Sequence, residues 1–508
     1  MPALGGLIVG PIIMRFAPET KGHGVPEVME AVALKGGRIR QRVAFLKVIV
    51  SSVTIGSGGS AGREGPIAQI GSTIGSFLGQ TFKLDDRDRK LLVTAGLAAG
   101  IAGTFNAPLG GTLFGLEILF RGIGLFNAMP VMLAAVIGAA TASSYLGQTP
   151  AFNAVGLTSW TPPELGFYII LGLVFGVISV LWVRLFYAVE DGFERLRVPS
   201  GCKQGLGGLM VGFLVMLYPA YGIKGVGYEG VNMVLVGGFS LSLLLTLGVL
   251  KIIATSFTIG SGGSGGIFAP SLYIGSMFGG AMGLLFNWTF PSVVHQPFTY
   301  ALAGMAALFA GAAQAPINVI VMIPEMSRDF ALIPPIMASS VTSFFVAWLI
   351  MRGSSIYTIK LQRRGINIRM GRPLALDLIK VEEVMTKKVI TVVADTPILA
   401  LELLFEEEHH TGYPVVKDGH LVGVVTLEDV RNLPPDARGR GKVGDIASKD
   451  IVVAYPDETV HSALDKMHTR HVGRLPVVDR NNPTRILGII SRHDLVRAHE
   501  IAAGRPAE

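Results

Sequence analysis

Apolar residues dominate the chain up to Gly353, and charged positions there are confined mostly to short clusters between apolar runs. About 20 apolar residues are needed to span a bilayer. Stretches at Phe167–Leu185, Leu206–Tyr218 and Ser240–Ile253 are the long candidates, and a helix is also expected over Leu4–Phe16. Other apolar pieces, such as Ile67–Leu78, Leu91–Phe105 and Leu109–Phe120, are shorter or cut by Gly and Pro. Ordinary buried helices of a soluble protein would give isolated pieces of this kind. Their density favours a membrane domain with broken or re-entrant helices. Non-helical backbone at membrane depth is tolerated only where protein buries it or it lines a polar cavity.

One passage occurs twice, 204 residues apart. Residues 46–76 and 250–280 match at 17 of 31 positions, apolar residues as well as glycines. Paired, interrupted apolar segments in two halves of a membrane protein point to inverted repeats around a midplane site. In each copy the glycines end one helix, and Pro66 or Pro270 falls in the first turn of the next. A helix beginning there presents free N–H groups and a partial positive charge, which suits an anion. Glycine-mediated helix packing is the competing explanation, but it requires neither the prolines nor Glu64.

Composition sharpens this picture. Half of the 508 residues are apolar and 16% are charged, against about 25% charged in soluble proteins. Mean hydropathy is +0.53. The net charge of +7 could suggest nucleic acid, but its location argues for a membrane instead. Lys35, Arg38, Arg40 and Arg42 fill one loop, and Arg352, Lys360, Arg363 and Arg364 follow the last apolar stretch. Both clusters fit positive-inside signals, with a cytoplasmic C-terminus and a cell (inner) membrane location. The single cysteine, Cys202, excludes an internal disulfide and offers no metal-site spacing.

GHGVP at 22–26, GREGP at 62–66, FNAPLGGTLFGLE at 105–117, GIFAP at 266–270 and SIYTIKLQRRG at 355–365 occur in this order. Together they resemble the CLC family of chloride channels and chloride/proton exchangers over about residues 1–365. The resemblance implies an all-α polytopic membrane domain with inverted repeats and broken helices. It also implies a homodimer with one anion pathway per subunit. Glu64 looks like the gating glutamate, whose carboxylate competes with the anion and swings away when protonated. An intramembrane carboxylate is costly unless it has a function. Ile267 and Phe268 match the positions whose backbone N–H groups bind the central anion, and Tyr357 matches the tyrosine whose hydroxyl reaches it. Gly24 and Gly65 complete the implied anion-binding set.

Two positions depart from the family pattern. The middle residue of the first motif is commonly serine, and here it is His23. Its imidazole either donates to the anion or turns away and leaves coordination to the backbone. Exchangers usually carry an internal proton glutamate just after the position of Glu117, and here that residue is Ile118. Glu117 is therefore either a proton relay or a structural acid. The family also has two more helices before the first motif, so the N-terminal helices are expected to be missing from this chain.

From Val381 a second pattern repeats. VEEVMTKKVITVVADTP with GYPVVKDGHLVGVVTLEDV is followed by VGDIASKDIVVAYPDET with GRLPVVDRNNPTRILGIISRHDL. Each unit is expected to form a short helix, a strand, a helix and two strands joined by a turn. This resembles an α/β tandem CBS pair, with a linker at 366–380, repeats at 381–435 and 436–500, and a tail at 501–508. In such pairs, Thr426 with Asp429 and Ser491 with Asp494 match a segment that binds adenine nucleotides. Helix N-capping is the competing role for these four residues.

The leading reading is transport of chloride or a similar small anion, gated by Glu64, as a channel or weakly coupled exchanger with CBS regulation. A chloride/proton antiporter with a non-standard internal proton route is the alternative. A CBS-regulated cation transporter would need rings of intramembrane acids or carbonyls. A non-transporting membrane sensor would not need Glu64, Phe268 and Tyr357 together. No cofactor is required by the transport domain, and the sequence offers no enzyme motif.

Overall fold

The computed structural model describes residues 1–120, 125–147, 150–152, 160–366, 379–470, 472–494 and 497–498. The chain divides into two units, Met1–Gly371 and Arg372–Glu508. The expected linker at 366–380 and the tail at 501–508 fall almost wholly outside the described residues.

The first unit is helical. Its elements are α1 (Pro2–Phe16), α2 (Val25–Leu34), α3 (Arg42–Gly56), α4 (Glu64–Thr81), α5 (Asp86–Phe105), α6 (Pro108–Gly115), α7 (Leu125–Leu146) and α8 (Leu165–Arg195). Then come α9 (Ser200–Leu217), α10 (Tyr228–Val236), α11 (Leu241–Gly260), α12 (Phe268–Thr289), α13 (Thr299–Ala313), α14 (Pro316–Ser327), α15 (Ile333–Met351) and α16 (Thr358–Arg363). Among the described residues, six helical stretches are long and apolar enough to cross a membrane, including Pro162–Arg195 and Phe268–Thr289. Shorter apolar helices occur at Pro108–Leu119, where a broken piece is expected over Leu109–Phe120, and at Thr299–Ala313 and Pro316–Ser327, which the sequence reading did not single out.

The internal repeat extends well beyond the duplicated passage. A Cβ on Gly71 of α4 would lie 2.1 Å from the Gly96 carbonyl of α5. At the equivalent Gly275 of α12, a Cβ would lie 2.5 Å from the Gly304 carbonyl of α13. Small residues allow both pairs of backbones into contact, the usual means of close packing where lipid removes the hydrophobic drive. Helices α5 and α13 both end on a left-handed residue, Asn106 (φ 51°) and Gln314 (φ 57°). Each is followed by Ala-Pro, which restarts the chain as α6 or α14.

Helices α6 and α14 then cap each other. A π-helical turn, Leu116–Phe120, follows α6. From it, Glu117 accepts the Ile317 and Asn318 backbone N–H groups at 3.1 and 2.7 Å. Glu325, near the end of α14, accepts those of Leu109 and Gly110 at 3.1 and 2.7 Å. Each carboxylate thus satisfies donors that a helix start would otherwise leave unpaired. The reciprocity requires the two helices to run antiparallel, as an inverted repeat demands.

The second unit contains α17 (Val381–Val384), β1 (Val392–Val393), α18 (Ile398–Glu408), β2 (Gly412–Lys417), β3 (His420–Thr426), α19 (Leu427–Arg431) and α20 (Pro435–Arg438). It continues with α21 (Val443–Ile446), α22 (Val460–Thr469), β4 (Arg474–Val478) and β5 (Ile486–Ser491). Strand β1 pairs parallel to β2, while β2–β3 and β4–β5 are antiparallel. The first repeat follows the predicted order. In the second, the opening strand is reduced to a single bridge, Ala454 with Val477. The opening helices cross over. Val381 and Val384 of α17 lie in the core with Val460, Leu475 and Ile490, while Val443 of α21 lies with Ile398, Leu401 and Val415.

Candidate anion site

Three glycine loops meet where α2, α4 and α12 begin. The Gly22 N–H donates to the Gly263 carbonyl at 3.0 Å, and the Gly265 N–H donates back to Gly22 at 3.3 Å. Gly62 and Gly266 exchange two backbone hydrogen bonds, of 2.8 and 2.6 Å. The contact tolerates no side chain. A Cβ on Gly65 would lie 2.2 Å from the His23 carbonyl, and one on Gly266 would lie 2.7 Å from the Gly65 nitrogen. The starts of three helices, each with unpaired N–H groups and a partial positive charge, are thereby held together inside the protein.

The predicted site residues Glu64, His23, Gly24, Gly65, Ile267, Phe268 and Tyr357 are all buried at or beside this junction. Glu64 is the first residue of α4 and is 1% exposed. One carboxylate oxygen, Oε1, accepts the Tyr228 hydroxyl at 2.5 Å. The other, Oε2, is buried beside Gly62 and has no hydrogen-bond partner. His23 is 2% exposed, and neither ring nitrogen has a hydrogen-bond partner. Its ring lies 5.6 Å from that of Tyr357 and 6.1 Å from that of Phe186. Phe309 stands between the rings of Tyr357 (6.4 Å) and Phe268 (4.6 Å). Phe105 continues the aromatic wall to Tyr228, 6.3 Å away. Tyr357 itself is placed by its neighbour, since the Ile356 carbonyl accepts the Tyr187 hydroxyl at 2.6 Å and the Ile356 N–H donates to Ala312 at 2.8 Å.

The remaining candidates are engaged in helix caps or packed in the apolar core. Both oxygens of Glu117 are occupied by the N-terminus of α14. Ile118 is fully buried in the apolar core. In the second unit, Thr426 and Asp429 form a reciprocal cap. The Thr426 N–H and hydroxyl both donate to Asp429 at 2.7 Å, and Asp429 N–H donates back at 3.3 Å. Ser491 donates to Asp494 in the same way, at 2.7 and 2.8 Å.

Sequence reasoning passed over four features of the site. Lys47 and Lys251, both fully buried, occupy the same position of the duplicated passage. Lys47 donates to the carbonyls of Thr20 and Gly22, each at 2.9 Å, just before α2. Lys251 donates to Gly222, Ile223 and Gly225 at 2.9, 3.1 and 3.0 Å, just before α10. A lysine repeated inside two apolar segments is itself a signal, because a charge buried there needs partners. The ion pair of Glu27 with Lys360 (2.8 Å) ties α2 to α16 beside His23. Tyr228 was overlooked because α10 lies outside the duplicated passage. Its loop nevertheless repeats weakly, as KGHGV at 21–25 and KGVGY at 224–228. Glu325 was hidden in the same way, by the divergence of AQAPINVIVMIPE from FNAPLGGTLFGLE.

Comparisons with known proteins agree with this architecture. The family described as voltage gated chloride channel matches residues 5–348. The CBS domain matches twice, at 381–436 and 443–500. The chain is 29% identical to chloride channel protein CLC-f of Arabidopsis thaliana, covering 94% of this chain and 70% of that protein. It is 34% identical to the H(+)/Cl(-) exchange transporter ClcA of Vibrio cholerae, covering 69% of this chain and 76% of that protein. Among solved structures, a slow cyanobacterial Cl-/H+ antiporter superposes with a TM-score of 0.66 at 30% identity, over 72% of this chain and 85% of that one. A eukaryotic CLC transporter shares the fold over 97% of this chain and 88% of its own, with a TM-score of 0.63 at 20% identity. The chain belongs to the voltage-gated chloride channel (CLC) family and carries two CBS domains.

Proposed function

We propose that this protein moves chloride or a similar small anion across the cell (inner) membrane, as a homodimer with one pathway per subunit and cytoplasmic CBS domains. One observation carries the reading: a buried carboxylate, Glu64, is lodged where helix starts converge. An anion entering the junction exchanges its water shell for the N–H groups around Gly24, Gly65, Ile267 and Phe268 and for the Tyr357 hydroxyl. The ionised Glu64 occupies the neighbouring place. When protonated it loses its attraction to the helix starts and yields to a second anion. His23 belongs to the same shell, because its ring nitrogens are buried without protein partners. Purified protein in liposomes is expected to release chloride, with Glu64→Ala altering the rate and flattening its pH dependence. Release equal to empty-liposome leak from folded protein would refute anion transport. Equal rates and pH profiles for wild type and Glu64→Ala would refute the gate.

Channel and exchanger readings rest on different observations. Ile118 carries no exchangeable proton, and Glu117 is engaged as a helix cap, which favours uncoupled or weakly coupled conduction. The relatives named as exchangers favour the antiporter with another proton route. Proton uptake recorded during chloride release decides: proton movement against its gradient would establish coupling. The CBS pair is proposed to bind an adenine nucleotide, which must displace or share the caps at Thr426 and Ser491. Calorimetry with ATP or AMP on the whole protein should then show saturable heat. No heat would leave all four residues as caps.

A further inference from the structure

We propose that Tyr228 is the latch of the gate: its hydroxyl holds the Glu64 carboxylate in the anion site and sets how readily the gate opens. The inference rests on Glu64 as the gating residue. It starts from the 2.5 Å bond between Tyr228 and Glu64 Oε1, which the anion-binding set does not include. Hydrogen bonds to an ionised acceptor are about twice as strong as neutral ones. This one favours the charged, seated carboxylate over the protonated, released one.

The tyrosine is fixed by the same backbone that fixes the glutamate. Tyr228 is the first residue of α10, after the left-handed Gly227 (φ 96°). Its turn is knotted by the Lys251 ammonium on the carbonyls of Gly222, Ile223 and Gly225. That turn is hydrogen-bonded to the loop leading into α4. Gly225 N–H donates to Gly59 at 3.0 Å, and Ala61 N–H donates to Gly225 at 3.2 Å. Phe152 packs edge-on against the phenol ring at 5.4 Å, and the Arg63 guanidinium lies 5.8 Å from it. The ring is therefore held from several directions while its hydroxyl reaches the gate. In the other repeat the equivalent position is Val25, which has no hydroxyl. The latch exists on one side of the pseudo-symmetric site only.

The other charged or titratable groups around Glu64 are Arg63, Tyr357 and Lys251, with Glu229 beside Lys251. None of them changes in Tyr228→Phe, which removes one oxygen and keeps the ring. Loss of the donor makes the carboxylate easier to protonate. The pH of half-maximal chloride flux should rise by about one unit, with flux at neutral pH up to about tenfold faster. Adding Tyr228→Phe to Glu64→Ala should change nothing further, because the latch acts only through the carboxylate. A Tyr228→Phe profile superimposable on wild type, while Glu64→Ala is altered, would overturn the latch and spare the gate. Equal acceleration in the Glu64→Ala background would also overturn it, and would make Tyr228 a plain constriction. If Glu64→Ala itself matches wild type, the gate fails and the latch fails with it.

Discussion

The two halves of the membrane unit share a backbone design and differ in the side chains it presents. Both have a buried lysine knotting a glycine turn, a glycine pair packing two helices, a left-handed residue before Ala-Pro, and an acid capping the opposite half. At matching positions, however, Glu64 faces Phe268, His23 faces Val226 and Val25 faces Tyr228. The shared positions are those that pair backbone groups or allow close approach. Among the divergent positions, Glu64, His23, Phe268 and Tyr228 pack at or beside the junction. Two-fold architecture assembles the helix starts, and the side chains on the two sides of the junction differ.

The comparison breaks most visibly at the lysines. Lys251→Met would leave the Gly222 and Ile223 carbonyls without a donor, since Gly225 keeps the Ala61 N–H, and Lys47→Met would leave that of Thr20, since Gly22 keeps the Gly265 N–H. Each orphaned carbonyl costs about 1–3 kcal/mol. Thermal unfolding in detergent should fall in both variants, and further in Lys251→Met. Equal, negligible shifts would mean that the turns hold without them. The carboxylate caps come next. Glu117→Gln and Glu325→Gln each weaken one helix start, by about 1 kcal/mol. Similar melting losses are expected from the two. If Glu117→Gln alone abolished coupled proton movement while melting as wild type, Glu117 would be a relay and the symmetry would be structural coincidence.

Smaller effects test the asymmetric positions. His23→Ser restores the family's common residue and should change the chloride-to-nitrate flux ratio by less than about tenfold, or roughly 1.4 kcal/mol. An unchanged ratio would show that the imidazole turns away from the ion. In the second unit, Thr426→Ala should cost that unit about 1 kcal/mol through its cap, read as earlier unfolding of the CBS pair in proteolysis of the whole protein.

Much of this was legible in the chain. The apolar runs, the duplicated passage and its prolines locate α4, α11 and α12, because periodicity and helix-start chemistry are local. The extent of α8, Leu165–Arg195, exceeds the predicted Phe167–Leu185 because its end leaves the apolar pattern yet continues as helix. Tyr228, Glu325 and the crossed CBS opening helices were not legible. Each depends on a partner far away in sequence, and no spacing rule reports which loop a tertiary contact will choose. The lysines were legible in principle, as a charge repeated where charges are expensive.

The central claim is that the junction of helix starts binds an anion and that the Glu64 carboxylate occupies a neighbouring anion place. Anomalous diffraction from bromide-soaked crystals of wild type and Glu64→Gln tests it directly. The account predicts one bromide beside the Phe268 N–H and Tyr357 hydroxyl in wild type, and a second in Glu64→Gln where the carboxylate had been. Bromide absent from the junction in both proteins would contradict it.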